Sequence, residues 1–254
     1  MIYLTGSIRT DVLIINADDW GRNRTATDNS LSCFNAGRIT SASAMVFMKD
    51  SERSAEVALE ANLDVGLHVN FTLGFDGPVQ MGPLIEKHRR ISQFLLGSKY
   101  NLIFYNPLLR NEFYYVYRSQ YEEFLRLYNK QPGHINGHHH MHFCANMFFG
   151  GIIQAGEKVR RNFTFVPGEK IFLNRLYRRI IDKWITKKHI TTDFFFSISP
   201  LQSKYRILRI LELSKTSNVE LLVHPELVKE YDYLMSDEFL EIISDLEKVS
   251  YSEI

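Results

Sequence analysis

The stretch Val12-Leu-Ile-Ile-Asn-Ala-Asp-Asp-Trp-Gly21 organises the reading of the chain. Residues 12–17 are a short apolar run with β-branched side chains, which reads as a buried strand. The run ends in two adjacent carboxylates, Asp18 and Asp19. Neighbouring side chains on a strand point to opposite faces. One carboxylate is therefore expected to bind a metal while the other, turned aside, acts as a base. The plainer alternative is a turn aspartate followed by a helix N-cap.

Outward from that strand the same unit recurs. A helix is expected over about 24–36, closed by Gly37, then a strand over 41–48 and a helix over 51–62. Residues 64–71 read as a third strand, with His68 near its end. Gly74, Gly77, Pro78, Gly82 and Pro83 mark 74–92 as a loop, long enough to suspect function. A short helix over 91–105 and a long one from Asn106-Pro107 to about Asn129 complete an insert at about 74–132. In the long helix Phe113, Val116, Tyr117, Tyr121, Phe124, Leu125 and Tyr128 keep helical spacing, as core residues do. Further strands are expected from His134 onward and over 162–166, 193–196 and 219–223. Further helices are expected over 145–159, 172–188, 203–214 and 236–248. The basic helix 172–188 reads as a solvated outer face rather than a membrane contact.

Strand and helix alternate about seven times with no composition shift, which predicts one α/β domain over 1–254 with a mainly parallel sheet. A (β/α) barrel is preferred to a doubly wound sheet. No glycine-rich nucleotide loop follows the first strand.

Composition narrows the function classes. A formal net charge of +1 over 254 residues supplies no field that would select nucleic acid. No apolar run approaches the roughly 18 residues that span a bilayer. The N-terminus lacks the apolar core of a signal peptide. Cys33 and Cys144 have no metal-type spacing. The expectation is a cytoplasmic protein, and a homodimer stays open.

Five of the nine histidines fall in His134-Ile-Asn-Gly-His-His-His-Met-His142. In an extended chain His134, His138, His140 and His142 would share one face and His139 the other. Imidazole is the commonest metal ligand. This cluster, His68 and His224 sit with Asp18 and Asp19 at the C-terminal ends of expected strands, where barrel enzymes build active sites. Pro225 keeps His224 extended. A carboxylate and two histidines leave a metal with open positions. Such an ion acidifies its water and polarises a carbonyl. A carboxylate base and an opposed histidine acid complete the apparatus for amide or ester hydrolysis.

Four motifs occur in order: Asn16-Ala-Asp-Asp-Trp-Gly21, Val65-Gly-Leu-His68, His134 to His142, and Leu222-Val-His-Pro225. Together they resemble the YdjC-like (ChbG/HpnK-type) carbohydrate deacetylases, from about residue 12 to the C-terminus. The resemblance implies a distorted (β/α) barrel, TIM-barrel-like with about seven parallel strands, a divalent metal ion, Mg2+ or Zn2+, and removal of N-acetyl groups from an amino-sugar or N-acetylated glycan substrate. Motif by motif it implies Asp19, His68 and His138 as metal ligands, Asp18 as the base and His224 as proton donor to the leaving amine. His140, His142 and Asn70 are left as substrate contacts. The chain departs from the family pattern at Asn136-Gly137, where Asp-Ser is common, and at Trp20, where Phe is common. Asparagine accepts a hydrogen bond without carrying charge, which predicts a less basic imidazole if it supports a ligand. Two other classes stay open. One is a catalytically silent, metal-containing carbohydrate-binding protein, which needs no acid–base pair. The other is a different metal-dependent hydrolase such as a phosphoesterase, disfavoured because no arginine or lysine cluster sits beside the motifs.

Overall fold

A computed structural model describes residues 12–78, 82–165, 172–201 and 204–254. Residues 1–11, read above for a signal peptide, lie outside the described residues. The chain runs β1 (Leu13–Trp20), α1 (Arg24–Asn35), β2 (Ser41–Ala44), α2 (Ser51–Glu60) and β3 (Asp64–Val69). Helices α3 (Gly82–Gly97) and α4 (Arg110–Tyr128) lead to β4 (Ile135–Gly137). Then follow α5 (Ala145–Gly150), α6 (Phe172–Lys188), β5 (Phe194–Ser197), α7 (Lys204–Leu213), β6 (Val219–Val223), α8 (Val228–Met235) and α9 (Asp237–Ile243). The six strands make one sheet in the order β4-β3-β2-β1-β6-β5, and every pairing is parallel.

Each strand has two buried faces of different character. Leu13, Ile15 and Ala17, with Ala42, Ala44, Val65, Leu67, Val219 and Leu221, join Phe113 and Phe124 of α4 in the main core. Burying one such Leu, Ile or Val contributes roughly 1.5–3 kcal/mol. Residues of the other parity face inward. Val12 and Ile14 pack with Val249 and Tyr251 in a second, smaller cluster. Asn16, Ser43, His134 and Asn136 form a buried hydrogen-bonded set above it. A Cβ at Gly66 would come within 2.3 Å of His134 Nδ1, so only glycine lets that ring lie across β3.

The sheet is curled into a half-barrel, and its edges are linked through an irregular segment. Val159 bridges to Ile135 of β4, and Lys158 bridges to Ile190 just before β5. Thr164 N donates to the Phe195 carbonyl at 2.8 Å. Six strands therefore form among the described residues where about seven were expected. The expected strand over 162–166 is irregular through 165, and Val166 lies outside the described residues. The backbone pairing it was to supply is made earlier, at 158 and 159.

Other boundaries moved for local reasons. Helix α3 starts inside the expected loop 74–92, because Gly82 and Pro83 fill its first turn. A proline there forfeits no hydrogen bond. The insert expected at 74–132 is thus largely the α3–α4 crossover. The helix expected over 145–159 stops at Gly150, capped by Gly151 at φ +60. The strand expected over 41–48 ends at Ala44. The last helix, expected over 236–248, starts where Ser236 caps α9 at Phe239 N but stops at Ile243, and α8 before it was not expected. On α6 Ile185 is buried while Lys183, Lys187 and Lys188 are exposed, as a solvated outer face requires. Among the described residues no helix is long and apolar enough to cross a membrane.

Candidate metal and active site

Strand β1 carries its two aspartates on an irregularity. Ala17 pairs with Ala42 and Trp20 with Ala44, so three steps along β1 meet two along β2. The extra residue is a β-bulge. Asp19 takes φ +63, a left-handed conformation that costs a non-glycine residue roughly 1–2 kcal/mol. Such strain persists where surrounding structure over-determines it, often at functional sites. Across the bulge the two carboxylates take different partners, Arg160 and Asn16 for Asp18 and His138 and Arg22 for Asp19, while flanking opposite nitrogens of His68. Asp19 Oδ1 lies 3.3 Å from His68 Nε2, and Asp18 Oδ2 lies 3.9 Å from His68 Nδ1. Asp19 Oδ1 is also 2.9 Å from His138 Nδ1.

Asp19, His68 and His138 are buried, and their nearest ligand atoms all lie within 4.8 Å of one another. The second partner of His68 decides its tautomer. Asn136 Nδ2 donates to Ser43 Oγ at 2.7 Å and towards Asp18 Oδ1 at 3.4 Å. That orients the amide, so its Oδ1 accepts from His68 Nδ1 at 2.7 Å. His68 Nε2 then faces Asp19 as the atom that takes either a second proton or a cation. Burial disfavours charge on His68, but Asp18 and Asp19 outweigh it and raise its pKa. Burial likewise opposes charge on Asp19, yet His138 and His68 hold it well below the usual carboxylate range. Asp19 Oδ2 accepts from Arg22 at 3.3 Å, and Arg22 also reaches Glu226 at 3.2 Å. One carboxylate oxygen and two imidazole nitrogens, dry and convergent, fit a divalent first-row cation. The departure at Asn136 also has a physical reason: a carboxylate there could donate to neither Asp18 nor Ser43.

Asp18 is engaged on both oxygens. Arg160 donates to Oδ2 at 2.6 Å and to Oδ1 at 2.7 Å, and Asn16 Nδ2 donates to Oδ1 at 2.9 Å. Burial alone would raise the Asp18 pKa, but Arg160 and then His68 overcome it and hold the group well below its ordinary value. Arg160 is wholly buried, and its Nε donates to Glu220 Oε1 at 2.7 Å. Tyr251 donates its hydroxyl to Glu220 Oε2. Sequence reasoning missed Arg160, Glu220, Asn16 and Ser43. Strand parity could have found two of them, since Asn16 stands two residues before Asp18 and Glu220 four before His224.

The histidine cluster is not extended. Strand β4 ends at Gly137, and His138–Phe143 turns as a 3-10 helix with His139 and His140 left-handed at φ +52 and +57. The expected alternation fails, and the rings scatter. His134 lies deep inside, 2.8 Å from Ser43 Oγ and stacked on Tyr251; burial pushes its pKa well below the usual value. His139 is exposed, with Nδ1 3.1 Å from Thr72 Oγ1. His140 meets the Phe163 ring edge-on and lines a cavity of about 260 Å³ with His139, Phe143 and Lys99; burial takes its pKa down to about 3. His142 is buried beside Gly137 and lines a different cavity, with Trp184 and His189. Asn70 is fully buried and its amide is spent on its own turn, with Nδ2 on the Leu73 carbonyl and Oδ1 on Thr72 N and Leu73 N. Neither His142 nor Asn70 is among the residues that line the cavity holding His140.

His224 follows Val223, which pairs with Ala17, so strand register sets it beside Asp18. Its side chain is 32% exposed, and its backbone N–H donates to Glu230 Oε2 at 2.6 Å. It is close enough to help hold Asp18 ionised.

The chain is similar to known proteins in sequence and in fold. Chitooligosaccharide deacetylase of Proteus mirabilis (strain HI4320) is 30% identical over 138 residues, 54% of this chain and 52% of that protein. The protein of the same name from Salmonella newport (strain SL254) is 27% identical over the same coverage. The chain thus spans about half the length of the curated relatives it matches. A crystal structure from Enterococcus faecalis V583, whose assignment as a cellobiose-phosphate cleavage protein is itself provisional, superposes with a TM-score of 0.68 at 18% identity. It covers 96% of this chain and 98% of its own, a likeness of fold. Residues 12–245, which hold the bulged aspartates, His68, His138 and His224, match the model described as YdjC-like protein, and the chain belongs to that family.

Proposed function

We propose that this chain is a metal-dependent hydrolase that removes N-acetyl groups from an amino-sugar or N-acetylated glycan. The observation that carries the reading is the buried Asp19, His68 and His138 set with Asp18 beside it. The two relatives named chitooligosaccharide deacetylase support the substrate class. Asp19, His68 and His138 would hold the ion, and two imidazoles among three donors favour zinc over the oxygen-seeking magnesium. When bound, such an ion supplies Lewis acidity for the acetamide oxygen and lowers the pKa of water.

The remaining steps belong to the chain. Asp18, kept ionised and aimed by Arg160 and Asn16, accepts a proton from the attacking water. His224, on the partly open rim beside Asp18, passes a proton to the departing amine nitrogen. His140 and Phe163 form a wall for the sugar, and aromatic faces suit the apolar side of a pyranose ring. The clamp on Asp18 also favours a second reading, a silent carbohydrate binder, since the same contacts lower its basicity. Acetate release from a chitooligosaccharide separates the two. Asp18→Asn should abolish release while zinc still binds; turnover retained in that variant would remove Asp18 as the base.

A further inference from the structure

We propose that Tyr251 is a positioning residue for Asp18, acting through Glu220 and Arg160; as a statement about turnover, this rests on the deacetylase reading above. Tyr251 lies after the end of the family match at residue 245, in the 3-10 turn Tyr251–Glu253. It is fully buried, yet it belongs to none of the motifs that form the rim. Its hydroxyl donates to Glu220 Oε2, Glu220 Oε1 accepts from Arg160 Nε at 2.7 Å, and Arg160 grips both oxygens of Asp18. These four side chains form one continuous path from the C-terminal turn to the base, and Arg160 Nη2 also lies 2.7 Å from Glu220 Oε1.

The near end of the path is anchored from several sides. The Tyr251 ring stacks on His134 at 3.8 Å and 14°. Its carbonyl accepts from Lys158 Nζ at 2.6 Å, and Ser252 N donates to Asp64 Oδ2 at 3.0 Å. The hydroxyl is therefore held still, and it fixes the rotation of the Glu220 carboxylate. Glu220 then fixes the plane of the guanidinium, because Nε is the one nitrogen that does not face Asp18. Without the hydroxyl, Glu220 Oε2 is a buried acceptor with no donor. The carboxylate turns to find one, and the guanidinium follows. A base displaced by a fraction of an ångström loses rate rather than substrate affinity. The competing view is that Tyr251 only plugs the interior beside Val12, Ile14 and Val249.

Tyr251→Phe separates the two, because it keeps the ring, the stack and the plug. On wild type and variant, chitooligosaccharide kinetics and the NMR resonance of the Arg160 Nε–H, assigned by its loss in Arg160→Lys, are measured together. The path predicts that kcat falls about tenfold with KM within twofold, and that the Nε–H resonance shifts and exchanges faster with water. Glu220→Gln should do the same, and the double variant should be no slower than the slower single one. Unchanged kcat, an unmoved resonance, or additive losses in the double variant would each overturn the proposal. If the wild type releases no acetate from any substrate, the deacetylase reading fails by itself. The resonance then still decides whether Tyr251 controls Arg160.

Discussion

Replacing Arg160 with methionine should leave a folded protein whose stability depends steeply on pH. The side chain is wholly buried and touches two buried carboxylates, at 2.6 and 2.7 Å on Asp18 and 2.7 Å on Glu220. Removing one partner of a buried ion pair costs about 3–5 kcal/mol, because the other charge is stranded. A domain is stable by roughly 5–15 kcal/mol, so Arg160→Met survives with little to spare. With a urea slope of about 3 kcal/mol per molar, the midpoint should fall by about 1–1.7 M at pH 7. The pH dependence follows from the direction of each shift. In the wild type the folded pKa of Asp18 is depressed, so its stabilisation is present above the unfolded value near 4 and is lost only as pH falls through the lower folded one. In the variant burial is opposed by His68, His224, Asn16 and Tyr251 but no longer by the guanidinium, and the folded values of Asp18 and Glu220 rise. The variant therefore loses stability as pH climbs from about 4 towards those raised values. Lowering the pH from 7 to 5 should recover about 1–2 kcal/mol of the deficit. Glu220, already raised by burial in the wild type, gives that protein a smaller gain of the same sign. Urea titrations of chelator-treated protein at the two pH values measure both quantities. A deficit below about 1 kcal/mol at pH 7, or one that widens at pH 5, would refute the account of Arg160 as the charge that holds these carboxylates.

Zinc added to chelator-treated protein should raise the melting temperature by several degrees, and His138→Ala should abolish the rise; an equal rise in the variant would remove His138 from the donor set. Asn136→Asp places a second carboxylate about 3.4 Å from Asp18 Oδ1, so stability should fall by roughly 2–4 kcal/mol at pH 7, less than the bare Coulomb figure because His68 gains a charged acceptor; a neutral or stabilising result in urea would show that Asn136 is not tuned to Asp18. Gly66→Ala drives a methyl into the His134 ring and should cost roughly 1–3 kcal/mol; an unchanged urea midpoint would mean that the ring moves freely.

The frame and the rim were legible because both follow from local rules. Apolar runs such as Val12–Ala17 and Val219–Val223 name parallel strands, and the polar residues placed just after strands gather at one end of the sheet, where Asp19, His68 and His138 meet. What escaped was the interior. Asn16, Ser43 and Glu220 each look like an ordinary polar interruption, and only the register across strands shows that they meet. Arg160 carried less signal still, since it stands in a segment that bridges both edges of the sheet without forming a strand. The bulge at Asp18 and Asp19 was illegible for a different reason: no glycine marks it, and Asp19 holds φ +63 against its own preference. Periodicity misread the histidine cluster because two consecutive left-handed residues, His139 and His140, destroy the alternation. The α3 boundary was misread because Gly82 and Pro83 serve a helix start as readily as a loop.

Charge balance ties these unread residues to the metal. Asp18, Asp19 and Glu220 are three buried carboxylates, and Arg160 is the one buried guanidinium among them. Arg22, the other cation touching Asp19, is shared with Glu226 and stands partly in solvent. Counted on these four side chains alone, two negative charges are left for the partly exposed Arg22 and the surrounding donors to offset, a costly state for buried carboxylates. A proton on His68 offsets one of them, which is why the two aspartates raise its pKa. A divalent cation held by Asp19, His68 and His138 would offset both and displace that proton. Arg160 is then less a partner for Asp18 alone than the counter-ion that sets the deficit at two, the charge of the ion this donor set can hold.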